Sequence, residues 1–198
     1  LKKINFFFFL IIINSCSSNI DNKSVFLKYP DHIARLDGRH AVFIPKNSFQ
    51  ILQNIDSDDC ESWNLKINFK KLFNESYESL LNKMISDLVF LDTKLTKNDL
   101  EKENFTSFIY FKSSKALLDF QTIRNTGKLN ITLISEIDLE GANKKINNTF
   151  KSEQSWGKNI YINCDAIHGA IKISERAFKS LLKQVHENIY KSIQSISR

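Results

Sequence analysis

The chain has 198 residues, of which 42% are hydrophobic and 25% are charged, and its formal net charge at pH 7 is +6. This length suits one domain with a substantial hydrophobic core and is short for two domains. The basic residues are 23 lysines and 5 arginines, scattered along the chain. Nucleic-acid binding favours arginines clustered on one face, so this distribution argues against nucleic acid as a partner.

The first 16 residues have the layout of a secretory signal peptide. Lys2 and Lys3 precede an unbroken apolar run, residues 6–13, which ends in Asn, Ser and Cys. A membrane-spanning helix needs about 20 apolar residues, so this run is too short to span a bilayer. A basic start, a short apolar run and small residues at a cleavage site predict a signal peptide over residues 1–15. An ordinary signal peptide with a chance cysteine and a buried apolar strand are the alternatives.

Residues 13–16, Ile-Asn-Ser-Cys, resemble the lipobox of bacterial lipoproteins. The form with Ser before Cys is similar to that of spirochaete lipoproteins, and Asn14 departs from the usual Ala or Ser. The resemblance implies that a diacylglyceryl group with palmitate-type chains is attached to the thiol of Cys16, and that cleavage occurs in front of it. Two or three acyl chains give stable anchoring in a lipid bilayer. The implied protein is anchored in the cell envelope, on the periplasmic face or on the cell surface.

The mature chain begins with a polar stretch and short apolar clusters. Residues 17–24 are mostly small and polar, which predicts that residues 16–24 form a lipidated flexible tether before a single domain over residues 25–198. Residues 41–44 are typical of a strand that Pro45 ends, and residues 46–53 fit a short helical turn. The acidic stretch at residues 55–62, IDSDDCES, predicts an exposed loop. Apolar and polar residues alternate in residues 63–69, as in a strand.

Two long stretches have the apolar spacing of amphipathic helices. The first follows Asn74 as the N-cap, and the second follows Ser174. Apolar residues recur at steps of three and four in both stretches: Tyr77, Leu80, Leu81, Met84, Ile85, Leu88 and Leu91 in the first, and Phe178, Leu181, Leu182, Val185, Ile189, Ile193 and Ile196 in the second. Each stripe predicts a helix face that packs in the core.

Between the helices the pattern changes to the period of two that is typical of strands. After a polar connection at residues 96–104, residues 105–111 and 129–139 predict strands, and residues 144–156 fold back as a hairpin partner. Residues 113–123 fit either a short helix or another strand. The element order predicts an α+β fold, with an antiparallel sheet of about four to five strands and two long amphipathic helices packed on one face.

Two histidines are candidate metal ligands. His32 and His40 lie on either side of Gly38, so a turn there brings them towards each other. A metal site needs further converging ligands, and the sequence offers no third one nearby. The alternative is a polar turn, and we expect no metal and no other cofactor.

Three further residues combine a nucleophile with a base and an orienting group. Cys164, Asp165 and His168 lie within five positions of one another. Catalytic triads assemble from distant parts of a fold, so this close spacing argues against a thiol nucleophile site. Cys164 is also a candidate disulfide partner of Cys60, since oxidising compartments permit disulfides. The chain contains no GxGxxG, GxxxxGK or GxSxG motif, which favours a non-enzymatic role.

The order of elements is similar to that of small envelope accessory lipoproteins, such as the lipopolysaccharide-assembly lipoprotein and auxiliary lipoproteins of ABC-type transporters. This resemblance implies a docking subunit of an envelope transport or assembly system, with a protein partner in the envelope. The alternative is a surface lipoprotein that binds a host or environmental ligand, with residues 56–61 and exposed lysines in contact with it. An envelope hydrolase is a third possibility. An exposed apolar patch would favour docking.

Overall fold

The computed structural model describes residues 19–20, 35–56, 66–123, 126–159 and 167–196. Within these ranges the chain is α+β. The elements in chain order are β1 (Asn19–Ile20), β2 (Leu36–Phe43), β3 (Phe49–Asp56), β4 (Lys66–Ile67), α1 (Phe69–Met84), β5 (Ile85–Leu91), α2 (Lys97–Lys102), β6 (Ser107–Ile123), β7 (Thr126–Glu140), β8 (Lys145–Asn159) and α3 (Ile167–Ile196). The signal peptide predicted over residues 1–15 lies outside the described residues.

Strand β6 is the centre of a six-stranded mixed sheet with the order β5-β2-β6-β7-β8. The first part of β6 pairs in parallel with β2, and its second part pairs in parallel with β3. Strands β2 and β3 therefore lie end to end along one side of β6. On its other side, β6 pairs with β7 and β7 with β8, both antiparallel.

The prediction of a wholly antiparallel sheet with four to five strands is therefore wrong in direction and in number. Parallel strands need a long crossover connection, and here the chain passes through α1 between β2 and its parallel neighbour β5. The antiparallel meander of β6, β7 and β8 needs only short turns, which is why the sequence shows it. Residues 113–123, which fitted either a helix or a strand, continue β6.

Helices α1 and α3 cover one face of the sheet and form the main core with it. Tyr77, Leu81 and Met84 of α1 are fully buried, as are Leu181 and Val185 of α3. Inward-facing residues of β7 belong to the same cluster. The predicted packing of two long amphipathic helices on one face is confirmed.

A third, short helix lies in the predicted polar connection and corrects the count of two. Thr96 caps α2, because its hydroxyl accepts a hydrogen bond from the backbone N–H of Asp99 while the Asp99 carboxylate accepts one from the backbone of Thr96. Leu100 of α2 packs with Ala41 and Phe108 in a second, smaller apolar cluster. The carboxylate of Asp99 has a lowered pKa because it accepts hydrogen bonds from Thr96.

The ends of the first long helix differ from the prediction. Its N-cap is Asn68, whose side chain accepts a hydrogen bond from the backbone N–H of Lys71 at 3.0 Å, and not Asn74. The helix ends at Met84, and Ile85 is already extended. The predicted stripe from Ile85 to Leu91 is a strand instead, because β5 pairs with β2.

The last helix begins earlier than predicted. It starts at Ile167, so Ser174 is a buried residue within the helix and not its cap. A Cβ atom on Gly169 would lie 2.5 Å from the Trp156 ring, so a glycine lets the first turn of α3 approach β8 this closely. Two short predictions are also wrong: residues 49–53 belong to strand β3, and Phe69 begins a helix.

The first strand involves two residues of the predicted tether. Asn19 and Ile20 pair in parallel with Lys66 and Ile67, forming the two-stranded sheet of β1 and β4. The other residues of the tether, 16–18 and 21–24, lie outside the described residues.

Candidate functional site

Strand β3 is an edge strand of the sheet. Its residues pair in continuous register with residues 114–121 of β6, and no strand among the described residues pairs with its other edge. Strand β5 leaves this edge uncovered, because it pairs with residues 36–43 of β2 only. An unpaired edge presents a row of backbone N–H and C=O groups that another strand can bind. We call residues 49–56 the β3 edge.

The β3 edge is fixed at its beginning and exposed in its middle. Phe49 packs against the main core, with its ring centroid 5.8 Å from that of Phe73. Ile51 and Leu52 are 46% and 61% exposed. Since side chains alternate along a strand, Ile51 lies on the helix side of the sheet with Phe49, and Leu52 lies on the open side. The edge thus presents one aliphatic side chain on each face.

The β3 edge also lacks the protection that natural edge strands carry. Soluble proteins commonly place lysine, proline or a bulge on an exposed edge. Residues 49–55, FQILQNI, contain no charge and no proline, and the register with β6 shows no bulge. Charges appear only at the two ends, with exposed Lys46 before the strand and Asp56 as its last residue.

A row of polar side chains holds the β3 edge to the open face of the sheet. The Asp119 carboxylate on β6 accepts hydrogen bonds from Asn54 at 3.1 Å, from Gln121 at 3.3 Å and from Asn130 at 3.4 Å. Asn130 in turn accepts one from the Ser155 hydroxyl at 2.9 Å. The row crosses four strands, and its internal bonds indicate that it positions β3.

The predicted metal candidates do not form a site among the described residues. His40 is buried, and its Nδ1 and Nε2 lie 2.8 Å from Ser107 Oγ and 3.0 Å from the Asp37 carbonyl oxygen. A carbonyl only accepts, so Nε2 carries the proton and Nδ1 accepts from the hydroxyl. Both nitrogens are engaged within the fold. His32 lies outside the described residues, which hold no group of three or more His, Cys, Asp or Glu placed to bind a metal.

Burial lowers the pKa of His40, although a hydrogen bond to Asp37 and the charge of Asp87 act in the opposite direction. Desolvation disfavours the charged imidazolium, and this favours the neutral tautomer described above.

A second buried polar group lies between α1 and the sheet. The hydroxyl of Tyr77 is 3.5 Å from Ser114 Oγ, which is 3.5 Å from Ser135 Oγ. Burial raises the pKa of Tyr77 to about 12, against the hydrogen bonds from these serines that lower it. Tyr77 therefore remains a neutral core residue at physiological pH.

The remaining predicted site residues lie in undescribed parts of the chain. Cys16, Cys60, Cys164 and Asp165 are outside the described residues, and only the backbone of His168, in the first turn of α3, is described. The lipidation, the disulfide and the thiol site thus stay predictions. Within the described ranges, no helix is both long and apolar enough to cross a membrane.

The local pattern of residues 46–53 predicts a short helical turn and therefore misses the β3 edge. A signal was present: Phe49 and Ile51 alternate with polar Gln50, and β-branched Ile51 and Ile55 favour strands. Position at an edge, in contrast, depends on which strands pair, and no local pattern encodes that.

Comparison with known proteins finds solved structures that resemble the chain, at the low TM-scores given below. No family model matches the chain, and no curated protein matches its sequence. Among solved structures, the chain is similar to a minor lipoprotein from Acinetobacter baumannii, with a TM-score of 0.44 and 8% identity over 79% of this chain and 94% of that one.

Two further structures have a similar likeness. A protein from Helicobacter pylori, described as a homologue of a neuraminyllactose-binding hemagglutinin, has a TM-score of 0.45 and 11% identity over 87% of this chain and 99% of its own. A lipoprotein from Neisseria meningitidis has a TM-score of 0.31 and 8% identity over 70% of this chain and 96% of its own. Identities this low carry no information on ligands or partners.

Proposed function

We propose that the chain is a bacterial envelope lipoprotein, anchored in a lipid bilayer through acylated Cys16, that serves as a non-enzymatic docking subunit of an envelope transport or assembly system. The lipobox-like residues 13–16 support the anchor. The observation that carries the docking role is the β3 edge, which has no charged residue from Phe49 to Ile55 and exposes Ile51 and Leu52.

The β3 edge suits binding by strand addition. In this mode, backbone hydrogen bonds to an added strand supply affinity, and contacts with alternate side chains supply specificity. Ile51 and Leu52 offer such contacts on the two faces, and the row from Asn54 to Ser155 keeps the strand in place. A protein partner in the envelope is therefore the binding partner, and no cofactor or nucleic acid takes part.

Two buried groups support a binding role over a hydrolytic one. The ring nitrogens of His40 are both engaged by the fold, and the Tyr77 hydroxyl lies in the core beside Ser114. A general base must reach the proton that it abstracts from a substrate. Neither group is placed to do so.

In-cell crosslinking tests the docking role. A photo-reactive amino acid is placed at Leu52 in the full chain, expressed in the cell that makes it, and at Lys183 as the control. Lys183 suits this purpose because its side chain is 76% exposed but lies on α3, away from the β3 edge. We expect a crosslink to an identified envelope protein, or to a second copy, from position 52 and none from position 183. Equal labelling from both positions, or none from position 52, would contradict docking at the β3 edge.

A further inference from the structure

We propose that the end of the domain at which α1 begins lies against the bilayer that holds the anchor, and that exposed basic side chains there bind anionic phospholipid headgroups. This inference rests on the proposed function, because acylated Cys16 is the point of attachment. It follows from the place where β1 joins the fold and from the charges around that place.

Strand β1 ties the chain to the fold close to the proposed anchor. Three residue steps separate Cys16 from Asn19. An extended chain spans at most about 3.6 Å a step, so Asn19 lies within about 11 Å of the acylated residue. Asn19 and Ile20 pair with Lys66 and Ile67 of β4. The surface of the bilayer therefore lies near β4.

Strand β4 leads directly into the core, so the anchor is attached to a packed part of the domain. Ile67 is buried in the main core, and buried Phe69 begins α1. Phe69 also packs against Phe178 of α3, with the ring centroids 6.2 Å apart. This part of α3 thus lies beside the start of α1. We call residues 66–71 and 172–179 the anchor end.

The anchor end carries an excess of positive charge. Its exposed charged residues, five basic and one acidic, are Lys70, Lys71, Lys172, Glu175, Arg176 and Lys179. Lys71 lies 3.9 Å from Glu75, and no ion pair among the described residues engages the other four basic side chains. The first turn of α1 contains no acidic residue. Basic side chains there oppose the helix dipole, so an anionic surface against this turn offsets an unfavourable interaction.

The charges at the opposite end of the domain are matched within the fold. The C-terminal part of α3 lies at the turn between β7 and β8, where Lys144 Nζ is 3.5 Å from Ser195 Oγ. At the same turn, Lys145 Nζ lies 3.7 Å from the Asp138 carboxylate and 3.8 Å from that of Glu140. An anionic surface therefore favours the anchor end over this one.

The acyl chains and the basic side chains act together at the anchor end. Stable membrane binding takes two signals, and an acyl chain with a basic patch is one such combination. Attraction of basic side chains to anionic lipids falls off within a Debye length, about 10 Å at 0.1 M salt. The short link to Cys16 keeps the anchor end within about that range. Helices α1 and α3 then point away from the bilayer.

Fluorescence quenching of the acylated full chain in vesicles tests this orientation. A fluorophore is placed on Lys70→Cys, or on Asn82→Cys as the control, in a Cys60→Ser/Cys164→Ser background. Both positions are exposed on α1, and they lie about 18 Å apart along the helix axis. The vesicles contain equal parts of phosphatidylglycerol and phosphatidylcholine, with a quencher on some headgroups. We expect loss of fluorescence at position 70 and little change at position 82.

Charge reversal tests the part played by the basic side chains. Lys172→Glu/Lys179→Glu, with the fluorophore at position 70, should reduce the quenching by about half, because two attractions to the lipid surface become repulsions. Lys144→Glu/Lys191→Glu is the matched control, since both lysines are exposed at the opposite end, and it should leave the quenching unchanged. Vesicles of phosphatidylcholine alone should also reduce the quenching at position 70.

The outcomes separate this inference from the anchor itself. A chain that floats with the vesicles but is quenched equally at both positions, or at neither, would overturn the orientation and leave the anchor standing. Quenching at position 70 that is equally strong with phosphatidylcholine alone, or that survives the reversal on α3, would overturn the binding of anionic headgroups. A chain that floats with neither kind of vesicle would contradict both proposals.

Discussion

His40 illustrates how burial decides the role of a single residue. The sequence alone suggests His40, together with His32, as a candidate metal ligand. In the fold its ring links the Asp37 carbonyl to the Ser107 hydroxyl, which lies 67 positions along the chain. The imidazole therefore joins β2 to β6 as a neutral group, and its protonation would break the bond that Nδ1 accepts.

The lowered pKa of His40 predicts a loss of stability in mild acid. In the unfolded chain His40 has its ordinary pKa of 6.5. In the folded chain burial lowers the pKa of His40, so the folded chain takes up the proton only at lower pH. The free energy of unfolding is thus fully retained above about pH 6.5 and falls as the pH drops from there towards the lower pKa of the folded state. Urea unfolding across this range measures the slope.

The control for this prediction is a second histidine. His40→Gln should flatten the pH dependence of the free energy of unfolding. His186→Gln should change it less, because His186 is only partly buried and burial therefore lowers its pKa less strongly. A slope in His40→Gln equal to that of the unmodified chain would show that His40 does not cause it.

The elements show the same division between local pattern and tertiary context. The apolar stripes of α1 and α3 are visible in sequence because both helices bury one face against the sheet. Their ends are set by other parts of the fold: Ile85 leaves α1 to pair beside β2, and α3 begins where Gly169 packs on Trp156. The local pattern of residues 46–53 predicts a helical turn, but pairing with β6 makes β3 extended.

The stripe of α3 predicts a strong effect at Leu181, which is fully buried. Leu181→Asp places an unpaired charge in the core and should abolish folding, while Leu181→Ala should lower the free energy of unfolding by about 2–5 kcal/mol. Lys179→Asp puts the same residue on the exposed side of the same helix and should fold normally. Circular dichroism and thermal melting compare the variants, and an unchanged melting curve for Leu181→Asp would show that α3 is peripheral to the core.

At the scale of the whole molecule, the helices and the β3 edge occupy different parts of the sheet. Helices α1 and α3 cover one face, and α2 packs on the other with Ala41 and Phe108. The β3 edge lies at one side of this arrangement, so in the proposed docking role a partner adds a strand without displacing any helix among the described residues. Attachment through Cys16 would hold the partner and the domain at the same membrane.

The anchor predicts a change of location without a change of fold. In Cys16→Ala no acyl chain can be attached, so the protein should move from the membrane fraction to the soluble fraction. Its circular dichroism spectrum should match that of the domain from the unmodified chain. Cys60→Ala and Cys164→Ala carry the same substitution elsewhere and should stay with membranes. Membrane association of Cys16→Ala after a high-salt wash would contradict the lipid anchor.

Local sequence determined the apolar stripe of α1 as far as Met84, the stripe of α3, and the hairpin of β7 and β8, because helical and strand periodicities act within one element and the short turn at residues 141–144 joins neighbours. The lipobox pattern is also local, and acylation of Cys16 stays a prediction. Only the tertiary structure decided the parallel pairings of β2, β3 and β5, the burial of His40 and the exposed position of β3. These features join residues 48 or more positions apart, such as Arg39 and Asp87 or His40 and Ser107, so they depend on the packing of the whole chain.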